Sequence, residues 1–209
     1  MRPTPRHRSP VVRAPAGALA LALALALALA RALARALAMA MNPPPAGGAE
    51  DAAAWSIVND RVMGGVSTSR VQAAQGGLHF EGEVRLEHGG GFASMRRAAQ
   101  WPPGSAGARV TARGDGNDYR LVVYTRDPAD GRPRPHAYHA VFTPPAGAAA
   151  AIELRWPVFR ATFRGRPVPD AAPLAAADVI GVGVMITRDG HRAGRGAFAL
   201  HLSAIAPLP

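Results

Sequence analysis

The chain has 209 residues, with 24 Lys+Arg against 14 Asp+Glu and a formal net charge of +10. Every basic residue is Arg, and the absence of Cys excludes disulfides, thiolate metal sites and Cys nucleophiles. Six Arg and no acid precede Glu50, so from residue 50 onward 18 Arg face 14 acids, a net of +4; without a basic run interleaved with aromatics, nucleic-acid binding is not expected.

Residues 1–13 carry four Arg, and an uncharged Ala/Leu run follows over residues 14–30. Its Leu-Ala alternation resembles a strand period, but Ala and Leu are the best helix formers, so an apolar helix is expected. Ala38-Met39-Ala40 fits the small-x-small end of an export signal. Residues 1–40 therefore read as a signal peptide or, uncleaved, as an anchor in contact with a membrane. Either places the rest at the periplasmic side of a cell envelope. Arg31 and Arg35 after the apolar run disfavour translocation. An organelle presequence therefore stays open, as does a start at Met39 or Met41 that would leave the protein cytoplasmic. Residues 41–53, with "NPPPAGG", read as a linker, stiff then flexible.

From residue 54 to 207 short apolar runs recur between Gly, Pro and Asp clusters. "LHFEGEVRL" alternates Leu78, Phe80, Val84 and Leu86 with His79, Glu81, Glu83 and Arg85, the pattern of a half-buried antiparallel strand. Further strands are expected over 91–97, 108–113, 119–125, 137–143, 151–156, 179–186 and 196–205. "RDPADGRPRP" supplies the turn chemistry of a hairpin connection. No helical period follows residue 50, although "PLAAADV" suits one turn. The expected fold is all-β, two antiparallel sheets face to face, with a closed barrel as the alternative.

Several stretches offer chemistry and fall short of it. "HGGGFAS" has the glycines of a lipase oxyanion loop but no G-x-S-x-G elbow accompanies it. "GVGV" at 181–184 lacks the third glycine and helix of a dinucleotide loop, so close sheet packing or a bulge is the reading. His136 and His139, three apart on a strand, point to opposite faces. "DGND" at 115–118 misses the distal Glu of a calcium loop and reads as a solvated turn. No catalytic, cofactor or metal residue is singled out, and the domain is not expected to be an enzyme.

Two stretches, "WSIVNDRVMGGVSTSR" (55–70) and "LHFEGEVRLEHGGGFASMR" (78–96), together resemble the start of the complex I intermediate-associated protein 30 domain. The matching residues are Trp55, Asn59, Asp60, Met63, Gly64, Gly65, Ser67, Phe80, Gly82, Gly90, Gly91, Phe92, Ser94 and Arg96. "RGDGNDYRLVVYT", "FRATFRGRPV" and "GAFALHLSAI" continue the resemblance more loosely, so that it spans about residues 55–205. His88-Gly89 stands where the family has Asn-Asn, and Trp156 is displaced from the family's usual Trp. The resemblance implies a jelly-roll β-sandwich similar to galactose-binding domains. It also implies a non-catalytic assembly helper for a membrane respiratory complex, with a protein partner.

The motif also has a direct physical reading. Gly64 and Gly65 permit a sharp turn out of a buried Met63 into the next strand, and Gly90 and Gly91 do the same before Phe92. Asn59 or Asp60 is placed to accept hydrogen bonds from turn amides. Arg96, a fork-shaped donor, is the candidate partner-binding residue with His88; a buried pair between Arg96 and Asp60 is the alternative. A carbohydrate-binding jelly roll is the second reading, with Trp101, Trp156, Tyr119, Tyr124 and Tyr138 available as an aromatic platform. A hydrolase with carboxylates assembled by the fold is the third.

Overall fold

A computed structural model describes residues 51–209. The apolar segment read as signal or anchor lies outside the described residues. Among those described, no helix is long and apolar enough to cross a membrane. The described chain opens with Ala52–Ala54, one 3₁₀ turn whose Ala53 amide donates to the Asp51 carboxylate at 3.0 Å.

Twelve strands follow: β1 (Ser56–Ile57), β2 (Thr68–Ala74), β3 (Gly77–Val84), β4 (Phe92–Ala98), β5 (Gly107–Arg113) and β6 (Tyr119–Arg126), then β7 (Pro133–Phe142), β8 (Ala150–Arg155), β9 (Arg160–Phe163), β10 (Arg166–Pro167), β11 (Val179–Thr187) and β12 (Gly196–Leu208). All eight runs expected from the sequence are among them. β2 is the strand expected after the Gly64-Gly65 turn, while the short β1, β9 and β10 were not foreseen, because two to four residues are too few to show a period. "PLAAADV" does contain one turn, a 3₁₀ helix over Ala176–Asp178.

The strands form two antiparallel sheets, a seven-stranded one in the order β1-β4-β11-β6-β7-β9-β10 and a five-stranded one in the order β2-β3-β12-β5-β8. The chain crosses between them repeatedly, as a jelly-roll sandwich does. The alternation in β3 explains the packing. Leu78, Phe80 and Val84 are buried, while His79 and Glu83 are exposed on the opposite face. Leu86, expected on the inner face, lies beyond the strand end and is exposed.

From the other sheet Met95, Leu121, Val123, Val184 and Ile186 reach the same core. Phe80 meets Phe198 across β3 and β12 with ring centroids 5.0 Å apart. Each such aliphatic or aromatic burial contributes about 1.5–3 kcal/mol.

The two outer faces differ. On the five-stranded sheet Arg70 pairs with Glu81 at 2.9 Å and Arg109 with Glu153 at 2.7 Å, cation against anion across neighbouring strands. Among the described residues, no ion pair joins two strands of the seven-stranded sheet. Its register sets Ser56, Arg96, Gly183, Val122, His139 and Arg160 in one row across six strands, and Ala98, Gly181, Tyr124, Ala137 and Thr162 in the next. Neither row holds an acid.

Candidate functional site

The stretch between β1 and β2 turns on Asp60, which has no solvent exposure. A 3₁₀ turn over Asp60–Met63 ends at Gly64, whose φ of 90° suits a residue without Cβ. The Gly65 amide closes the turn on the Asp60 carbonyl at 3.0 Å. Gly65 is needed for a different reason: a Cβ there would sit 2.4 Å from the Asp60 carboxyl carbon. Gly90 faces the same carboxylate from the other side, where a Cβ would lie 2.6 Å from Oδ2. Glycines at these two positions let two loops close around one buried anion.

That anion is fully engaged. Oδ1 accepts the Ser67 amide at 3.0 Å; Oδ2 accepts the Ser67 hydroxyl at 2.5 Å, the Gly91 amide at 2.7 Å and the Phe92 amide at 3.3 Å. Burial alone would raise the Asp60 pKa. The Ser67 hydroxyl and the three amides more than offset it, so the carboxyl titrates below its ordinary value. Ser67 Oγ also accepts the Arg85 amide at 3.0 Å, tying the end of β3 to the start of β2. Asn59 does parallel work: its Oδ1 accepts the Ser69 hydroxyl at 2.9 Å and the Ser94 amide at 3.2 Å. The Ser94 hydroxyl donates to the Val58 carbonyl.

Two sequence expectations need correction. Met63 is 56% exposed, because the turn it closes bulges away from the core rather than into it. Arg96 does not pair with Asp60. It sits on an outward position of β4, while the carboxylate is already saturated from within. Trp55 is buried under the Arg97 guanidinium, which lies 5.3 Å from its ring. Gly82 lies between Ser69 and Phe198 in register, where a Cβ would strike the Thr68 carbonyl. His88 occupies the left-handed turn before β4, exposed at φ 57°, and is not drawn into Arg96's surroundings.

What the fold builds around Arg96 was not visible beforehand. Tyr124 lies across the glycines of β11: Cβ atoms at Gly181 and Gly183 would come within 3.6 and 3.4 Å of its ring carbons. The Gly-x-Gly of β11 is a floor for this ring, as close packing required. Arg96 reaches over from β4, its guanidinium 5.8 Å from the Tyr124 centroid. Beside them opens a cavity of about 490 Å³ lined by Ser56, Arg96, Arg97, Tyr124, Arg134 and Gly181 among others. Arg96 also lines a second hollow of about 430 Å³, with Ile57, Arg61 and Val62. Val62 is 73% exposed there. The alternation Arg120-x-Val122-x-Tyr124 was the one available signal for this face.

Further along the same face His139 is pushed down to about 4 by burial and by the Arg120 charge, so it is neutral near pH 7. Its Nε2 meets the Thr162 hydroxyl at 2.5 Å. The "DGND" turn is anchored rather than solvated: Asp115 accepts the Ala199 amide at 2.7 Å and the Tyr119 hydroxyl at 3.1 Å. Of the candidate aromatic platform, Trp101, Tyr119 and Tyr138 are buried in the core, which leaves Tyr124 and Trp156 partly exposed. Among the described residues, no group of three or more His, Asp or Glu is placed to hold a metal.

The family model for complex I intermediate-associated protein 30 matches residues 46–202. The chain belongs to that family. No curated protein matches it in sequence. Among solved structures it is similar to the family 11 carbohydrate-binding module of a cellulosomal cellulase from Clostridium thermocellum, at 13% identity, covering 78% of this chain and 92% of that one with a TM-score of 0.55. A second structure of a family 11 module from Clostridium thermocellum, in complex with a mixed-linked tetrasaccharide, matches at 13% identity, 76% and 91% coverage and a TM-score of 0.52. At such identity the likeness establishes the β-sandwich fold of this family member.

Proposed function

We propose that the domain is a non-catalytic binding module that helps assemble a membrane-associated protein complex, gripping a protein partner through the outer face of its seven-stranded sheet. The observation that carries this reading is how the family motif divides. Asn59, Asp60, Ser67 and Ser94 spend their polar atoms on one another and on backbone amides, so they hold loops rather than a ligand. Arg96 alone among the motif's polar side chains is presented outward, seated on Tyr124 without an ion-pair partner among the described residues. A guanidinium positioned in this way, beside exposed apolar residues, is the composition of a binding hot spot. Residues 1–40 would, as a signal, deliver the module to the envelope where such a complex is built or, as an anchor, hold it there.

The alternative is a carbohydrate-binding module, like the structures that share the fold, one of which holds a tetrasaccharide. It has less to stand on. Burial removes three of the five aromatics that would form its platform. Affinity capture from respiratory membranes with the native protein and Arg96→Ala tests the first reading. The native protein should retain a membrane complex subunit that Arg96→Ala loses. Retention of nothing by either, with binding on a glycan array instead, would favour the second.

A further inference from the structure

We infer that the two hollows flanking Arg96 form one docking site for an acidic segment of a partner protein, in which carboxylates meet Arg96, Arg134 and Arg61 while an apolar side chain rests on Val62 and Ile57. This rests on the reading of the domain as a protein-binding module and specifies what that partner must present.

Donor and acceptor chemistry decides the ligand class. The linings of both hollows together contain four arginines, Arg61, Arg96, Arg97 and Arg134, and no Asp, Glu or Gln. Arginine offers five N–H donors and no acceptor. The one amide in the linings, Asn59, has its oxygen occupied by Ser69 and Ser94. A neutral sugar presents hydroxyls that must also donate, and this wall offers them only Ser, Thr and Tyr hydroxyls and backbone carbonyls. A carboxylate only accepts, and it fits a guanidinium fork in two parallel hydrogen bonds.

Charge placement points the same way. The five-stranded sheet pairs Arg70 with Glu81 and Arg109 with Glu153, whereas Arg96 meets no carboxylate among the described residues. A cation left in this state beside low-dielectric walls attracts an anion from outside. The first hollow crosses β4, β11, β6 and the start of β7, about 14 Å at the usual strand spacing. That length accommodates about four residues of extended chain.

Protein is favoured over an acidic polysaccharide by the second hollow. Val62 at 73% and Ile57 at 36% exposure border Arg96 there, and an aliphatic side chain beside a carboxylate fills such an apolar contact more completely than the C–H face of a uronate ring. Tyr124 gives Arg96 a rigid seat. With glycines beneath the ring and the guanidinium above it, the fork loses less freedom on binding than a lysine or an unsupported arginine would.

The test uses the full chain and a labelled peptide of six glutamates and one leucine, followed by fluorescence anisotropy. Oligogalacturonate of equal charge and a neutral mixed-linked tetrasaccharide serve as competitors. Arg96→Glu and Arg134→Glu are each expected to weaken the peptide about tenfold, the usual scale for reversing one contact charge. Val62→Ser should weaken it about threefold. Arg195→Glu, in the β11–β12 connection, should leave it unchanged. Equal binding by Arg96→Glu and Arg134→Glu, no peptide binding at all, or tighter binding of oligogalacturonate than of peptide would each overturn the inference. If Arg96→Glu lowers the melting temperature, Arg134→Glu at the edge of β7 decides alone.

Membrane capture separates this from the broader proposal. A complex subunit retained equally by native protein and Arg134→Glu, with no peptide binding, leaves the module reading standing and removes the acidic segment. Peptide binding that follows the variants, with nothing captured, does the reverse.

Discussion

Asp60 and Arg96 come from one motif and are treated in opposite ways. Around Asp60 two loops bring three amides and a hydroxyl onto one carboxylate, and glycines stand wherever a Cβ would obstruct them. Around Arg96 the fold supplies a ring, a glycine floor and open volume, but no anion among the described residues. A buried charge left short of partners is expensive, so the first region must be satisfied internally. An exposed guanidinium has no such penalty and can be left for a partner. Residues of one motif can thus divide between holding a scaffold and reaching out of it, and burial is what separates them.

The largest effect is expected from Asp60→Ala. It strands the Ser67, Gly91 and Phe92 amides in a closed site and should cost about 4 kcal/mol in chemical denaturation. A loss under about 1 kcal/mol would mean that the loops do not depend on the carboxylate.

Acid should act next. His139 is neutral in the folded protein down to about 4 but takes up a proton at its ordinary value of 6.5 when unfolded. Its contribution is therefore complete above pH 6.5 and lost as pH falls toward 4, about 3 kcal/mol at most. Thermal melts between pH 7 and 4 should show that decline, and His139→Gln should flatten it. Asp60, held below its ordinary value, loses its own contribution at still lower pH, as it is protonated in the fold.

Gly65→Ala and Gly90→Ala each drive a Cβ into the Asp60 carboxylate and should destabilise by about 2 kcal/mol. Gly64→Ala meets open space and suffers only from its positive φ, at about 1 kcal/mol. Equal effects at Gly64 and Gly65 would show that the pair serves the turn and not the carboxylate. Arg96→Ala should change stability by less than about 0.5 kcal/mol, as a surface substitution does, while abolishing partner capture. A large drop in melting temperature would place Arg96 with Asp60 on the structural side.

The strands that carry the core were legible because each is long enough to alternate: Leu78, Phe80 and Val84 against His79 and Glu83 needs no tertiary knowledge. The role of Asp60 was legible in kind, as an acceptor for turn amides. Its reach from Ser67 to Phe92 was not, since those contacts join residues up to 32 apart. Met63 was misplaced because an apolar residue beside a glycine pair carries no mark of which way its turn bulges. Tyr124 was one of five aromatics until register set it between Gly181 and Ala137.

Composition, alternation and the glycine-flanked motif thus determined by themselves that this chain makes an antiparallel sandwich of this family, because period-two burial and conformational demand are local properties. Which arginines are matched by acids, and which face is left cationic, was decided only in three dimensions. Strand order places Arg109 beside Glu153, 44 residues away, and places Arg96 beside glycine and tyrosine. Electrostatic pairing depends on distances of a few ångströms, and only the completed pairing of strands fixes those.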